Sequence, residues 1–295
     1  LTGSAGADGV DGVDGIDGVN DPRFAGVTRN GDNLLFTGMN LQVTNGLGAT
    51  NGDPGNPSGP GQVNGLGNVV IGYNESINPW DHDNDPITPN GPTSNKSGSH
   101  NIVVGKGLNY QSYGGIVTGV DNLVEGPYSS VNGGHRNQGK GFASVVSGGS
   151  DNKASGNLSS VSGGWQNEAS NNNASVSGGQ NNLASGILSN ISSGKNNIAS
   201  GLNSSVTGGH GNEAGGQYAS VSGGSDNSAS GDFSNVSGGW RNQATNNNSS
   251  VSGGQDNLAG GLITSVSGGR ANSATGVLAS VNGGSNNRAQ GESSS

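Results

Sequence analysis

The chain has no cysteine. That excludes a disulfide scaffold, a zinc–thiolate site and a cysteine nucleophile, but leaves the compartment open. Large apolar groups are also scarce. Hydrophobic residues make up 28% and aromatics 4%, against about 45–50% apolar in an ordinary domain. A thick globular core is therefore out of reach. No apolar run approaches the ~18 residues of a membrane-crossing helix. Basic groups are few, 11 Lys and Arg against 20 Asp and Glu, for a net charge of −9. Nucleic acid and anionic membranes are poor partners for such a chain. With only 11% charged residues, the chain does not belong to the charge-rich disordered class either. It opens at Leu1 without a signal-peptide pattern and reads as a processed chain or as the ordered part of a longer one.

In their place stand 60 glycines among 295 residues and a strict period. Val131, Val146, Val161, Val176, Ile191, Val206, Val221, Val236, Val251, Val266 and Val281 follow one another at intervals of 15. Each opens a unit of the form V-S-G-G-x-x-N-x-A-S-G-x-x-S-S, whose positions are numbered from the Val as position 1. Position 7 is Asn in every unit, from Asn137 to Asn287. Position 9 is Ala from Ala154 to Ala289, after Gly139 in the first unit. Position 11 is Gly except at Asn171 and Asn246. A longer period lies above the first: residues 131–205 resemble 206–280, so a block of five units looks duplicated.

Fifteen residues are too few for a helical hairpin, and glycines at positions 3, 4 and 11 oppose helix. Two short strands with tight corners fit. The expected fold is all-β, a parallel β-solenoid or β-roll of 15-residue coils. Twelve coils from residue 116, at ~4.8 Å per coil, make a rod of about 58 Å. The Gly/Asn exchange at position 11 predicts a left-handed corner there, and position 7 reads as another, with carboxamides stacked between units. Val at position 1 and Ala at position 9 form a thin core. Position 13 carries a further apolar column: Tyr128, Leu158, Leu188, Tyr218, Phe233, Ile263 and Leu278. On a lone rod some of these are exposed, which argues for an oligomer.

Upstream, Ile116-Val117-Thr118-Gly119 reads as a unit in frame with Ile116 leading. Ile102-Val103-Val104-Gly105 precedes it at a spacing one short of the full period, and Asn68-Val69-Val70-Ile71-Gly72 opens another unit. Their Val and Ile content predicts the best-packed units. Residues 21–101 form a transition region before a repeat domain at 102–295. Within it, Leu34-Leu35-Phe36 and Leu41-Gln42-Val43 read as short strands around Gly38, and residues 50–61 and 74–99 as insertion loops. Residues 1–20 carry glycine at every third place from Gly3 to Gly18, the pattern of a collagen-like triple helix.

Catalytic chemistry is poorly served. The repeats hold few titratable groups, no G-x-S-x-G elbow and no phosphate-binding loop, so the chain is expected not to be an enzyme. Asp81, Asp83 and Asp85 have a calcium-like spacing on the second insertion and are candidate ligands for Ca2+. Position 5, between the Gly pair and Asn, reads as an outer turn. Its occupants are polar except Trp165 and Trp240. Each indole either packs on a neighbour or offers a sugar-stacking platform, with Gln166 beside one and Arg241 beside the other.

The units NVVIG (68–72), NIVVG (101–105) and the SVSGGxxNxASG series resemble the head repeats of YadA-like trimeric autotransporter adhesins. The Val, first Gly, Ala and final Gly of that motif fall on Val146, Gly149, Ala154 and Gly156, and on Val161, Gly164, Ala169 and Asn171. Similar repeats occur in phage and tail-like fibres. The resemblance implies a left-handed roll, a homotrimer around one axis, an extracellular or cell-surface location and attachment to a surface glycan or receptor. A structural rod without a specific ligand is the alternative, and an ice-binding surface a minor third.

Overall fold

The structure, a computed structural model, describes residues 27–56, 59, 61–76 and 94–295. Among the described residues the chain is all-β and has no helix. It divides into two compact units, residues 1–43 and 44–295. In the first, β1 (Val27–Asn30) and β2 (Asn33–Phe36) form an antiparallel hairpin. The segment 41–43, expected as a strand, is not one; its side chains are exposed and it joins no ladder. The Gly-x-x segment at 1–20 lies outside the described residues.

The second unit is a parallel β-solenoid. β3 (Val69–Ile71), β4 (Ile102–Lys106), β5 (Asn109–Tyr110) and β6 (Ile116–Val120) open its two sheets. One sheet runs from β3 through β4 and β6 into the two-residue strands at positions 15 and 1, ending at Ser280–Val281, with 14 strands in all. The other runs from β5 into the strands at positions 8 and 9, ending at Arg288–Ala289, with 13 strands. Thirteen steps of ~4.8 Å make the first sheet about 62 Å long. A third contact joins successive coils at position 5, where isolated parallel bridges run from Val120 and His135 to Ser285.

The register corrects one expectation. Val117, not Ile116, pairs with Val131, so this coil is one residue shorter than the regular repeat. The coil before it, where Val103 pairs with Val117, is short by the same amount. Val117 is fully buried and Ile116 exposed. The missing residue is one of the Gly pair. Without it β6 runs unbroken from Ile116 to Val120. With it, every later coil bulges at positions 3 and 4, and the strand splits into a short piece at 15–1 and a lone bridge at 5.

Position 7 is not a corner but a buried ladder. The Asn152 carboxamide donates to Gly148 O of its own coil at 3.0 Å and to Gly164 O of the next at 2.9 Å. Its Oδ1 accepts from the backbone N–H of Asn167 at 3.0 Å. The pattern repeats coil after coil, from Asn122 accepting the Asn137 amide to Asn272 accepting that of Asn287. Val at position 1 and Ala at position 9 close the interior around it, each at 0–5% exposure. The coils at 103–130 bury larger groups, among them Leu108, Tyr110, Leu123 and Val124, whereas the unit at 68–72, expected to pack as well, leaves Val69, Val70 and Ile71 exposed.

The left-handed corners also lie elsewhere than expected. They fall at position 4, where Gly149 has φ +83°, at position 6, where Asp151 has φ +58°, and at position 13, where Leu158 has φ +57°. Position 11 is not among them. Its glycine answers to space: a Cβ on Gly156 would lie 1.9 Å from Asn171 O in the next coil. Where Asn replaces glycine, its carboxamide bonds across the same gap, Asn171 Nδ2 to Ser185 O at 3.0 Å. Position 13 instead seats bulky apolar groups in a conformation that suits Gly or Asn. They stand about half exposed, and Phe142, Ile187, Leu262 and Val277 at position 12 extend the ridge.

The close approach and the ladder can each be tested by substitution. Gly156→Ala should lose about 1–3 kcal/mol in urea unfolding. Gly163→Ala, where a Cβ would meet nothing within 4 Å, should stay within about 0.5 kcal/mol; equal tolerance of both would contradict the assignment.

Asn212 donates to Gly208 O and Gly224 O and accepts from the Asn227 N–H. Removing these bonds in Asn212→Ala should cost about 2–4 kcal/mol. Asn212→Asp sets a buried carboxylate against the two carbonyls, so its folded-state pKa rises above the unfolded value. Its deficit should therefore be smallest below the unfolded pKa and grow as pH rises through the folded one. Urea midpoints of both variants at pH 4 and pH 7 check this; an Asp deficit independent of pH would refute it.

Candidate functional site

The Asn ladder fixes where neighbouring side chains meet, because position n of one coil stacks on position n of the next. Position 5 is thereby a column on the outer surface, with Trp165 bridged to Ser150 and Gln180, and Trp240 to Ser225 and Gln255. Position 6 turns left-handed beside it at Gln166 and Arg241. Both indoles are 43% exposed, yet their surroundings differ.

Trp165 is held at its edge. Its Nε1 donates to Asp151 Oδ2 at 3.3 Å, one coil back. Asp151 also accepts from Ser150 Oγ at 2.7 Å and forms a two-point pair with Arg136, Nε to Oδ1 at 2.8 Å and Nη2 to Oδ2 at 2.9 Å. The Asp151 side chain is only 2% exposed, so the carboxylate is a fixed anchor. Beside it opens a groove of about 300 Å³ lined by Gln138, Lys140, Asp151, Lys153, Gln166, Asn167 and Glu168. Lys153 and Glu168 pair across it at 2.9 Å. The groove thus combines amides and both signs of charge, and with the indole held at its side by Asp151 the set suits a polyhydroxylated ligand.

Trp240 is covered. The Arg241 guanidinium lies 5.0 Å from its ring centroid. Asp256 steadies that cation, with Arg241 Nε 3.2 Å from Oδ1, and accepts from Gln255 Nε2 at 2.9 Å. The geometry therefore separates two residues that the sequence made equivalent. Trp165 and Gln166 adjoin the groove, whereas Trp240 and Arg241 form a cation–π pair on each other. Asp151, Arg136, Lys153 and Glu168 do not stand out in the sequence. The signal that finds them is the 15-residue step itself: Arg136, Asp151 and Gln166 share position 6 in successive coils, and Lys153 and Glu168 share position 8.

Asp81, Asp83 and Asp85 lie outside the described residues. Among the described residues, no group of three or more His, Asp or Glu could hold a metal ion, and no helix is long and apolar enough to cross a membrane. At the base of the second insertion, Lys96 Nζ donates to Asn74 Oδ1 at 3.0 Å and to the carbonyls of Asn74 and Glu75. Burial pulls this ammonium below its ordinary pKa, against the opposing effect of Glu75. Burial raises the Tyr113 phenol, and Tyr128 adds to that.

Compared with known proteins, the chain matches no family model and no curated protein. The fold alone defines its class: a parallel β-solenoid repeat protein with coils of about 15 residues.

Arg136→Ala should strand the buried Asp151 carboxylate and cost about 1–3 kcal/mol. The double variant Arg136→Ala/Asp151→Asn should recover part of that loss in thermal or urea unfolding. A double variant no more stable than the single one would show that the ion pair does not hold the anchor.

Proposed function

We propose that this chain is a non-enzymatic extracellular fibre that attaches to glycans on a surface, with Trp165 as its stacking platform. In this reading it forms the head of a homotrimer whose coils wind left-handed around a common axis, as the resemblance to YadA-like heads implies. In the same reading the Gly-x-x pattern of residues 1–20 is a collagen-like segment. The single observation that carries attachment is Trp165, pinned at its edge by Asp151 and set beside an open polar groove. A pyranose presents an apolar face to an indole and hydroxyls to flanking amides and charges. Three copies of a weak site on one fibre bind jointly far better than one. A structural rod without ligand is the competing reading, favoured by the uniformity of the coils from Val131 onward.

A glycan array with the intact chain and two variants decides between them. Trp165→Ala should weaken binding at least about tenfold with stability little changed, and Trp240→Ala should retain it. Binding that survives Trp165→Ala removes the platform, and no binding by the unsubstituted chain favours the structural rod.

A further inference from the structure

The charges of the repeat region are segregated. Residues 131–291 carry 13 charged side chains, and 12 of them stand at positions 5, 6, 8 and 10; Asp232 at position 12 is the exception. One side of the coil stack, positions 5 to 10, is thus charged and varied. The other side, positions 11 to 15 and 1 to 4, is almost free of charge and bears the apolar ridge.

The ridge is unfavourable on a lone rod for two separate reasons. Leu158, Leu188, Tyr218, Phe233, Ile263 and Leu278 are each exposed by 48–58%. Each also has a left-handed φ of 53–59°, a region disfavoured for bulky residues and most of all for β-branched Ile. The chain has a better choice available, because Asn173, Asn203 and Asn248 occupy the same corner at φ 54–55°. Bulky apolar groups in strained, solvent-facing positions point to a surface that something covers.

We propose that the ridge at positions 12 and 13 is the seam on which copies of this chain associate. This deepens, and rests on, the oligomeric reading above. Two arguments identify the occupant as a second copy. First, the area suffices: 11 large apolar side chains of positions 12 and 13 are exposed. Each is roughly half free, the four aromatic ones drawing on ~150–250 Å² apiece and the aliphatic ones on less, so together they offer on the order of 800 Å² per chain, matching the ~800 Å² per partner of a stable interface. Second, the charge pattern is that of an interface core, which excludes charge, with a charged face left for solvent. Copies around one axis run parallel at the same pitch. Each apolar rung then meets its equal, and Asn172 and Asn173 meet the same pair.

The test replaces the six named residues with Asn, the residue the chain itself uses at this corner. Sedimentation of the full chain should give a multiple of 28.8 kDa. The six-fold Asn variant should dissociate at a concentration about 100-fold higher or more, with its β-signal intact and its melting temperature as monomer no lower. Ile198→Gln, an exposed change on the charged side, should leave assembly unchanged. If the six-fold variant loses its β-signal, Phe233→Asn/Ile263→Asn is read in its place. An oligomer that survives the Asn substitutions overturns the seam and leaves the oligomeric reading standing. A parent chain that is monomeric at every concentration overturns both.

Discussion

Each buried asparagine of the ladder makes three side-chain hydrogen bonds, and two of them reach into the next coil. Most of the architecture depends on this. The carboxamide is short enough to sit inside a coil two strands wide, and it has two donors and an acceptor with which to hold coils in register. Aspartate would lack the donors, serine the reach. The coils so joined approach closely enough that a Cβ at position 4 or position 11 would meet backbone at about 2 Å, as at Gly149 and Gly156. Glycine there follows from the ladder's pitch, except at position 11 of the two coils where Asn171 and Asn246 bond across the gap instead. The interior is thin, Val and Ala around Asn, so regular hydrogen bonding between coils carries what a large apolar core carries elsewhere.

The sequence made the period, the parallel β-solenoid and the inward Val and Ala columns legible, because each repeats on one residue type. It made the corners less legible. Glycine is selected for two reasons, a left-handed φ or a lack of room, and a Gly/Asn exchange at position 11 fits either. The structure assigns position 11 to room and position 13 to torsion, where Leu, Tyr, Phe and Ile concealed the signal. The frame of the earliest coils is ambiguous at Ile116, because adjacent Ile and Val fit position 1 equally well when every coil is counted at full length. The missing glycine of the bulge shortens that coil by one and hands the inward place to Val117. At the candidate site, both Trp were visible as exceptions in a polar column. Their inequality was not, since it depends on Asp151 one coil back in one case and on the adjoining Arg241 cation in the other.

The stack thereby presents two different long sides. Positions 5 to 10 hold nearly all the charge, the indoles and the groove, and vary from coil to coil. Positions 11 to 4 are small, repetitive and, Asp232 excepted, uncharged, apart from the apolar ridge. The division also relocates the acidity of the chain. Residues 131–291 hold seven basic and six acidic groups, so the net charge of −9 arises outside them. The repeat region is thus near-neutral overall, with a charged face on one side and an apolar ridge on the other.

Residue-resolved native-state hydrogen exchange tests the central claim most directly, because it reads the ladder bond by bond. The account predicts protection that recurs once per coil from Asn137 to Asn272. The amides of position 7, bound to the carboxamide of the preceding coil, should be among the slowest to exchange. Position 7 amides that exchange as fast as those of the exposed corners, or protection that does not recur with the coil, would contradict it.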